Sequence, residues 1–297
     1  IADPSGNNNG KLDPGEEATI TVTVLNTGSA DAYTVMGELM TGDMYLEITT
    51  TDPQAFGDIT AEGQATATYE VQADEMTPAG HMAQLNFEMN GEHNISGSGM
   101  FNVVIGQIPV VIIDLDENNS SGPEMQQAME NIGISVEYTT SIPADMNLYS
   151  SAFVCLGIYS NNHVLSSSEG QTLADFLEAG GMLYMEGGDT WYYDDQTAVH
   201  PMFGINGTSD GSGDLGTVNG VSGTITEGMS FNYTGDNNWI DHLEATGNAQ
   251  VIFNNSSPAY GCGISNDPGG YKTVGVSFEY GGLNDDSRGA LMEAYLE

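Results

Sequence analysis

The sequence predicts two domains, an all-β sandwich over residues 1–106 and a three-layer α/β domain over residues 107–297. In the first third of the chain, apolar and polar residues alternate in short runs separated by turn residues, with no amphipathic helix between them. From residue 108 onwards, continuous apolar runs alternate with helix-length segments, which is typical of buried parallel strands and their crossover helices. With 297 residues, the chain is long enough for each half to bury its own core.

Strand patterns fill the first domain. The first strand begins at Ala18, where Ile20, Val22 and Val24 fall on one face and threonines on the other. The turn spacing favours a seven-strand antiparallel sandwich. Further strands are predicted at 33–40, 45–50, 65–73, 82–89 and 99–105.

An oxygen-rich segment precedes the first strand, over residues 3–16. Gly10 matches the sharp-turn glycine of a calcium loop, because oxygen-bearing residues stand at alternate positions around it. A polar turn that leads into the strand is the alternative interpretation. The predicted Ca²⁺ ligands are Ser5, Asn7, Asn9, Lys11 through its carbonyl, Asp13 and Glu16, with Asp3 as a substitute ligand in a different register.

The same opening carries a resemblance. The segment Asp-Pro-Ser-Gly-Asn-Asn-Asn-Gly-Lys-Leu-Asp-Pro-Gly-Glu, followed by Thr-Ile-Thr-Val-Thr-Val-Leu-Asn-Thr-Gly, resembles bacterial Ig-like modules related to cell-adhesion domains. Such modules recur in large secreted and surface proteins, some of them next to cysteine peptidases of the gingipain type. Over residues 1–106 the resemblance implies a spacer or adhesion module outside the cell, without chemistry of its own.

The second domain is predicted to follow the order β-α-β-β-α-β, with right-handed crossovers. Pro123 suits the first turn of a helix that stops at Gly133, and Ser168 with Gln171 suits the cap of the next helix. Residues 200–250 are rich in Gly, Asn, Ser and Thr and form an insertion or a β extension. Strands are predicted at 108–115, 135–139, 153–159, 182–185, 250–253 and 273–278, and a terminal helix at 287–296.

The fourth strand of this domain ends in the tight turn Glu186-Gly187-Gly188-Asp189, which glycines favour because they tolerate positive φ. With the pattern Gly-Gly-x-Leu-x-x-x-Gly-Gly, residues 108–297 are similar to the class I glutamine amidotransferase-like fold, which belongs to the flavodoxin-like architectures. In that family this elbow presents a cysteine. Here neither Cys nor Ser occupies it, and the downstream His-Glu pair has no clear counterpart. The resemblance therefore implies the fold without the ammonia-transfer chemistry.

The ionic balance is extreme, with 3 Lys and Arg against 42 Asp and Glu and a formal net charge of −39. Phosphate backbones and anionic lipids would repel such a chain, which argues against nucleic acid and membrane-surface partners. No stretch approaches the roughly 20 apolar residues of a membrane span. Because the sequence starts without an initiator Met, we expect a mature or excised piece of a longer secreted or surface protein.

Two cysteines are too few for a disulfide framework. Cys155 lies in an apolar run and is expected to be a buried small hydrophobe, with a bridge to Cys262 as the alternative. A catalytic thiol needs an exposed thiolate beside a base, and neither sequence context offers one.

Carboxylates cluster at the predicted strand ends without cations to pair them. Because adjacent carboxylates repel, they either take up protons or bind a hard cation. A weaker second Ca²⁺ or Mg²⁺ site is therefore predicted at Asp114, Asp116, Glu186 and Asp189, with a solvated acidic rim as the alternative. The aromatic residues at 191–193 and Trp239 either stack on sugar rings or cover the sheet.

Together these features predict a non-catalytic extracellular module with a structural, adhesion or assembly role and a calcium-stabilised N-terminal loop. The expected partners are calcium, other surface proteins, glycans or further copies of the chain in a layer or filament. Nucleic acid and membrane insertion are not expected. The alternative is a hydrolase of glycosidase or metal-dependent type that uses Glu186 and Asp189 as its catalytic carboxylates.

Overall fold

A computed structural model describes residues 1–6, 8, 10–284 and 288–296 of the chain. The chain folds into two compact units, Ile1–Ile108 and Pro109–Glu297. Within the described ranges, no helix is both long and apolar enough to cross a membrane.

The described residues of the first unit form seven strands in two antiparallel sheets, with the orders β1-β5-β3 and β4-β2-β6-β7. Alternate residues of β1 point into one apolar core, where Ile20 and Val24 are buried together with Leu12, Tyr69 and Leu85. The resemblance to Ig-like modules stays a prediction. The strands are β1 Glu17–Leu25, β2 Ala32–Thr41, β3 Leu46–Ile48, β4 Gln54–Ile59, β5 Gln64–Ala73, β6 His81–Gly91 and β7 Ile95–Ile105.

Strand β4 is the one that the sequence pattern missed. Its pairing with β2 is irregular, since the register shifts on either side of the Val35–Gly57 pair, and Gly57 has a positive φ of 74°. A bulged strand of this kind loses the strict alternation of apolar and polar residues by which strands are recognised.

In the second unit, the described residues form one mixed sheet of 12 strands and three helices. The sheet order is β19-β14-β13-β16-β17-β18-β11-β10-β8-β9, and β15 pairs with both β12 and β17. The helices are α1 Gly122–Asn131, α2 Ser167–Glu178 and α3 Arg288–Leu296. The strands are β8 Ile108–Asp114, β9 Val136–Thr139, β10 Tyr149–Cys155, β11 Met182–Glu186, β12 Ile205–Ser209, β13 Thr217–Gly220, β14 Ser230–Tyr233, β15 His242–Ala245, β16 Gln250–Asn255, β17 Tyr260–Asn266, β18 Lys272–Val276 and β19 Leu283–Asn284.

The prediction of a three-layer α/β domain is wrong. The pairings of β8 with β9, β10 with β11 and β11 with β18 are parallel. Beyond β18 the sheet continues through antiparallel strands supplied by residues 205–284. The three short helices of the described chain are too few to cover both faces of so wide a sheet, so the unit is mainly β.

Two local predictions in this unit are shifted along the chain. The third strand covers Tyr149–Cys155 rather than 153–159, so Tyr159 lies in the loop that follows it. Helix α2 is capped by Ser166 and Glu169, whose side chains and backbone amides bond reciprocally, and not by Ser168 and Gln171. Both pairs fit the capping pattern, but a Glu at the third helical position also interacts favourably with the positive end of the helix dipole.

Candidate metal-binding site

The elbow after β11 is held tightly between its neighbours. The amide of Gly187 donates to the carbonyl of Val276 (3.2 Å), and that of Gly188 donates to the carbonyl of Gly157 (3.1 Å). Neither elbow glycine has a positive φ, contrary to the expectation from sequence. A Cβ at Gly188 would lie 3.0 Å from the side chain of Ile158, so close packing is the reason for glycine here.

Three carboxylates converge beside this elbow. Asp189, Asp210 and Asp241 each offer one oxygen, and these oxygens all lie within 4.8 Å of one another. Asp189 and Asp241 are buried, and Asp210 is partly buried. Carboxylate oxygens at such distances can hold a metal ion. Of the three residues, the sequence had singled out only Asp189.

Backbone contacts bring the three segments together. The amide of Asp241 donates to the carbonyl of Gly188 (2.8 Å), which fixes this segment against the elbow. Oδ2 of Asp241 accepts hydrogen bonds from the amides of Trp191 (2.9 Å) and Tyr192 (2.7 Å). Gly211, next to Asp210, has a φ of 71°, and a Cβ there would overlap the carbonyl oxygen of Ile240. The turn after β12 can therefore approach Asp241 only with glycine at this position.

One oxygen of this cluster has no partner. Oδ1 of Asp241 is buried and accepts no hydrogen bond from any described residue, while the whole side chain is 0% exposed. Burial raises the pKa of Asp241 to about 7 against the opposing effect of the Tyr192 and Trp191 amides, and the charge of Asp189 raises it further. A buried oxygen in this state requires either a proton or a cation.

The neighbouring acids are affected in the same direction. Burial, and then the charge of Asp210, raises the pKa of Asp189. Burial, followed by the charges of Asp189 and Asp195, raises the pKa of Asp194 to about 6. The basic side chains of this unit are placed elsewhere, with Lys272 in β18 and Arg288 paired with Glu124 (2.8 Å).

A cavity of about 270 Å³ opens over the cluster. The side chain of Asn237 is hydrogen-bonded to the backbone of two other lining residues. Its Nδ2 donates to the carbonyl of Tyr159 (3.0 Å), and its Oδ1 accepts from the amide of Trp239 (2.9 Å). The aromatic residues of the lining are strongly exposed. The lining consists of Tyr159, Asp189, Tyr193, Asp210, Asn237 and Trp239.

Glu186 lies apart from this cavity. Its side chain is 0% exposed, and its Oε2 accepts hydrogen bonds from the hydroxyl of Tyr184 (2.7 Å) and the amide of Tyr280 (2.9 Å). Burial raises its pKa to about 8, against the lowering effects of the Ser121 and Tyr184 hydroxyls and the Tyr280 amide. Glu186 is therefore largely a neutral acid at pH 7, sealed in the core. It does not line the cavity that contains Asp189.

Asp114 and Asp116 each have one oxygen that accepts hydrogen bonds, while Oδ1 of Asp114 is buried without a partner among the described residues. Oδ2 of Asp114 accepts from the hydroxyl of Tyr138 (2.6 Å), and Oδ2 of Asp116 accepts from both the amide and the hydroxyl of Ser120 (3.0 Å each). Of the four predicted ligands, Asp189 alone belongs to a three-carboxylate cluster within the described residues.

The N-terminal loop has the turn that its sequence suggests. Gly10 has a φ of 79°, and its amide donates to Oδ1 of the buried Asp3 (2.8 Å). The amide of Asp13 donates to Oε2 of Glu16 (3.3 Å), Lys11 is partly buried, and Ser5 is exposed. Calcium binding here stays a prediction. The predicted ligands Asn7 and Asn9 lie outside the described residues.

Both cysteines are free and buried, so the alternative of a bridge is not realised. Burial raises the pKa of each thiol above its ordinary value, and the charges of Glu186 and Asp114 raise that of Cys155 further. His200 is also buried, and burial lowers its pKa to about 4. None of these three groups is placed to act as a nucleophile or base at the cavity, whose lining excludes them.

No protein-family model matches the chain, and no curated protein matches it. Among solved structures, the exo-β-1,4-mannosidase Op5Man5 of Opitutaceae bacterium strain TAV5 is similar with a TM-score of 0.46 and 11% identity, over 64% of this chain and 35% of that enzyme. A ThuA-like protein of Parabacteroides merdae has a TM-score of 0.43 and 11% identity, over 64% of this chain and 88% of that protein. The major pilin subunit of Bacillus cereus has a TM-score of 0.19 and 11% identity, over 37% and 40%. At these values the similarities establish neither a family nor a function.

Proposed function

We propose that the chain is a non-catalytic module of a secreted or surface protein, and that its second unit binds a ligand through a divalent cation at Asp189, Asp210 and Asp241. The observation that carries the proposal is the unpartnered, fully buried Oδ1 of Asp241, in a group of carboxylates whose ligand oxygens all lie within 4.8 Å of one another. A cation there would satisfy the orphan oxygen and remove the mutual repulsion of the three acids.

Calcium suits this site better than other biological cations. All three side chains offer hard oxygen ligands. Zinc and copper prefer sites with imidazole or thiolate ligands, and the three residues of this cluster offer neither. The ligands come from three separate loops rather than from one rigid element. Calcium accepts such irregular geometry, whereas magnesium requires a near-ideal octahedron.

A binding role fits the cavity better than catalysis does. Its lining contains no Ser, Cys, His, Lys or Arg among the described residues, so it supplies no activated nucleophile of the usual kind. Glu186 is sealed in the core and cannot form a glycosidase pair with Asp189 without rearrangement.

Calcium binding to the intact chain is expected to tighten by about tenfold between pH 6 and pH 8, because Asp241, with a pKa of about 7, must lose its proton to the ion. Isothermal titration calorimetry at both pH values measures this change. Asp210→Asn is expected to lose this binding step. Asp195→Asn, which removes an equal charge from an exposed neighbouring position, is expected to retain it. Equal calcium affinity in Asp210→Asn and the wild type would refute the site.

The calcium loop of the first unit requires a separate measurement. Glu16→Gln is expected to lower the calcium stoichiometry by one ion while leaving the pH-dependent step intact, because Glu16 holds the bidentate ligand position of the predicted loop. The calcium content after gel filtration, measured by atomic emission, checks this. An unchanged content would favour the alternative of a polar turn.

A further inference from the structure

The aromatic rim of the cavity indicates what the cation site would bind. We propose that the ligand is a neutral carbohydrate, whose vicinal hydroxyls complete the coordination of the ion while its ring packs on Trp239 between Tyr159 and Tyr193. This inference rests on the proposed function, since the same carboxylates hold the ion. It adds the chemical class of the ligand.

Exposed aromatic residues are concentrated at this one place. The structure describes five aromatic residues as exposed, and three of them line the cavity: Tyr159 at 70%, Tyr193 at 70% and Trp239 at 48%. A fourth, Tyr192, is next to Tyr193 in the chain. Contiguous exposed apolar surface beside polar groups marks a binding site in a soluble protein. Tyr and Trp suit a sugar, which has an apolar face and a polar edge.

The rim is organised before any ligand arrives. Both polar ends of the Asn237 amide are engaged, one with the Tyr159 carbonyl and one with the Trp239 amide, so this side chain ties together the two loops that carry the aromatic walls. Trp191 anchors the third segment, because it is buried and its Nε1 donates to the carbonyl of Val276 (2.9 Å). Loops fixed in this way lose little conformational entropy when a ligand binds.

The coordination of the ion leaves room for hydroxyl groups. Three carboxylates offer six oxygens, but Oδ2 of Asp241 is already used by two backbone amides. At most five oxygens remain, whereas calcium takes roughly six to eight ligands. One or more positions are therefore open towards the cavity that Asp189 and Asp210 line, and a pair of vicinal hydroxyls can occupy them.

Charge selects against acidic sugars. Three carboxylates with one divalent cation leave a net charge of −1 at the site, in a chain whose formal charge is −39. A uronic or sialic acid would be repelled by this field. A ligand with an organic ammonium group is the competing class, because aromatic rims beside carboxylates also bind such groups. That ligand would compete with the ion instead of requiring it.

The test is calorimetric titration of the intact, calcium-saturated chain with neutral methyl hexosides that carry cis or trans vicinal diols, and with tetramethylammonium. We expect saturable binding of at least one hexoside, weakened at least tenfold when EDTA removes the ion. Trp239→Ala is expected to weaken hexoside binding at least tenfold while its calcium affinity stays within twofold of the wild type. The control Tyr33→Ala, which alters an exposed tyrosine in the first unit, is expected to change neither.

The outcomes separate this inference from the proposal on which it rests. Calcium binding without any hexoside binding would overturn the carbohydrate ligand and leave the cation site standing. Hexoside binding that Trp239→Ala does not weaken would overturn the stacking arrangement. Tetramethylammonium binding in EDTA, abolished by Trp239→Ala, would replace the sugar by an organic cation. Failure of calcium to bind at Asp189, Asp210 and Asp241 would overturn both proposals.

Discussion

Through Glu186 alone, raising the pH from 5 to 9 in the presence of a chelator is expected to lower the free energy of unfolding of the second unit by about 4 kcal/mol. Folded Glu186 keeps its proton up to about pH 8, whereas its ordinary pKa is 4.5. Between these values the folded state binds more protons than the unfolded state, so stability falls as the pH rises. Asp194 and Asp241, with pKa values of about 6 and 7, act in the same direction.

The effect can be assigned to Glu186 by an isosteric change. Glu186→Gln is expected to make the decline shallower by about 4 kcal/mol between pH 5 and pH 9, since the amide resembles the protonated acid and its oxygen can accept from the Tyr184 hydroxyl and the Tyr280 amide. Urea unfolding followed by tryptophan fluorescence measures it, because both tryptophans, Trp191 and Trp239, lie in the second unit. Glu178→Gln, the same change at an exposed position, is the control. A decline in Glu186→Gln as steep as in the wild type would contradict the assignment.

The local elements of this protein could be predicted from sequence, but the architecture of the second unit could not. The apolar run at Ile108–Asp114 and the periodicity of α2 are local signals, and both elements form. The strands between residues 205 and 284 are two to seven residues long and rich in Gly, Asn, Ser and Thr. Segments this short are defined by the neighbours they pair with rather than by their own patterns.

In the candidate site, too, the sequence predicted only the residue whose signal is local. Asp189 stood out because it ends an elbow after an apolar strand, and that signal lies within a few residues. Asp210 and Asp241 are 21 and 52 residues further along the chain, in segments without periodicity, and only the pairing of the late strands brings them to the elbow. The only local signal near Asp210 is the glycine that follows it, since glycine favours tight turns and Gly211 has a positive φ in the structure. The sequence alone does not show which other segment of the chain such a turn contacts.

The carboxylate of Asp241 accepts hydrogen bonds from the Trp191 and Tyr192 amides, and it is also a proposed ligand of the cation. The substitution Asp241→Asn separates these two roles. The amide oxygen of Asn can still accept from the Trp191 and Tyr192 amides, while its NH₂ group replaces the orphan oxygen by a donor to the neighbouring carboxylates. Without calcium, the variant is expected to be at least as stable as the wild type, since a buried repulsive charge is gone.

With calcium at 100 times its dissociation constant, the wild type is expected to gain about 2.7 kcal/mol and Asp241→Asn almost nothing from this site. Thermal unfolding followed by tryptophan fluorescence, with calcium or EDTA, measures the difference. Asp195→Asn should keep the full gain, because its carboxylate lies outside the cluster. An undiminished gain in Asp241→Asn would place the stabilising ion elsewhere. A loss of stability in EDTA would instead mean that the charge of Asp241, and not a missing cation, is what the Trp191 and Tyr192 amides require.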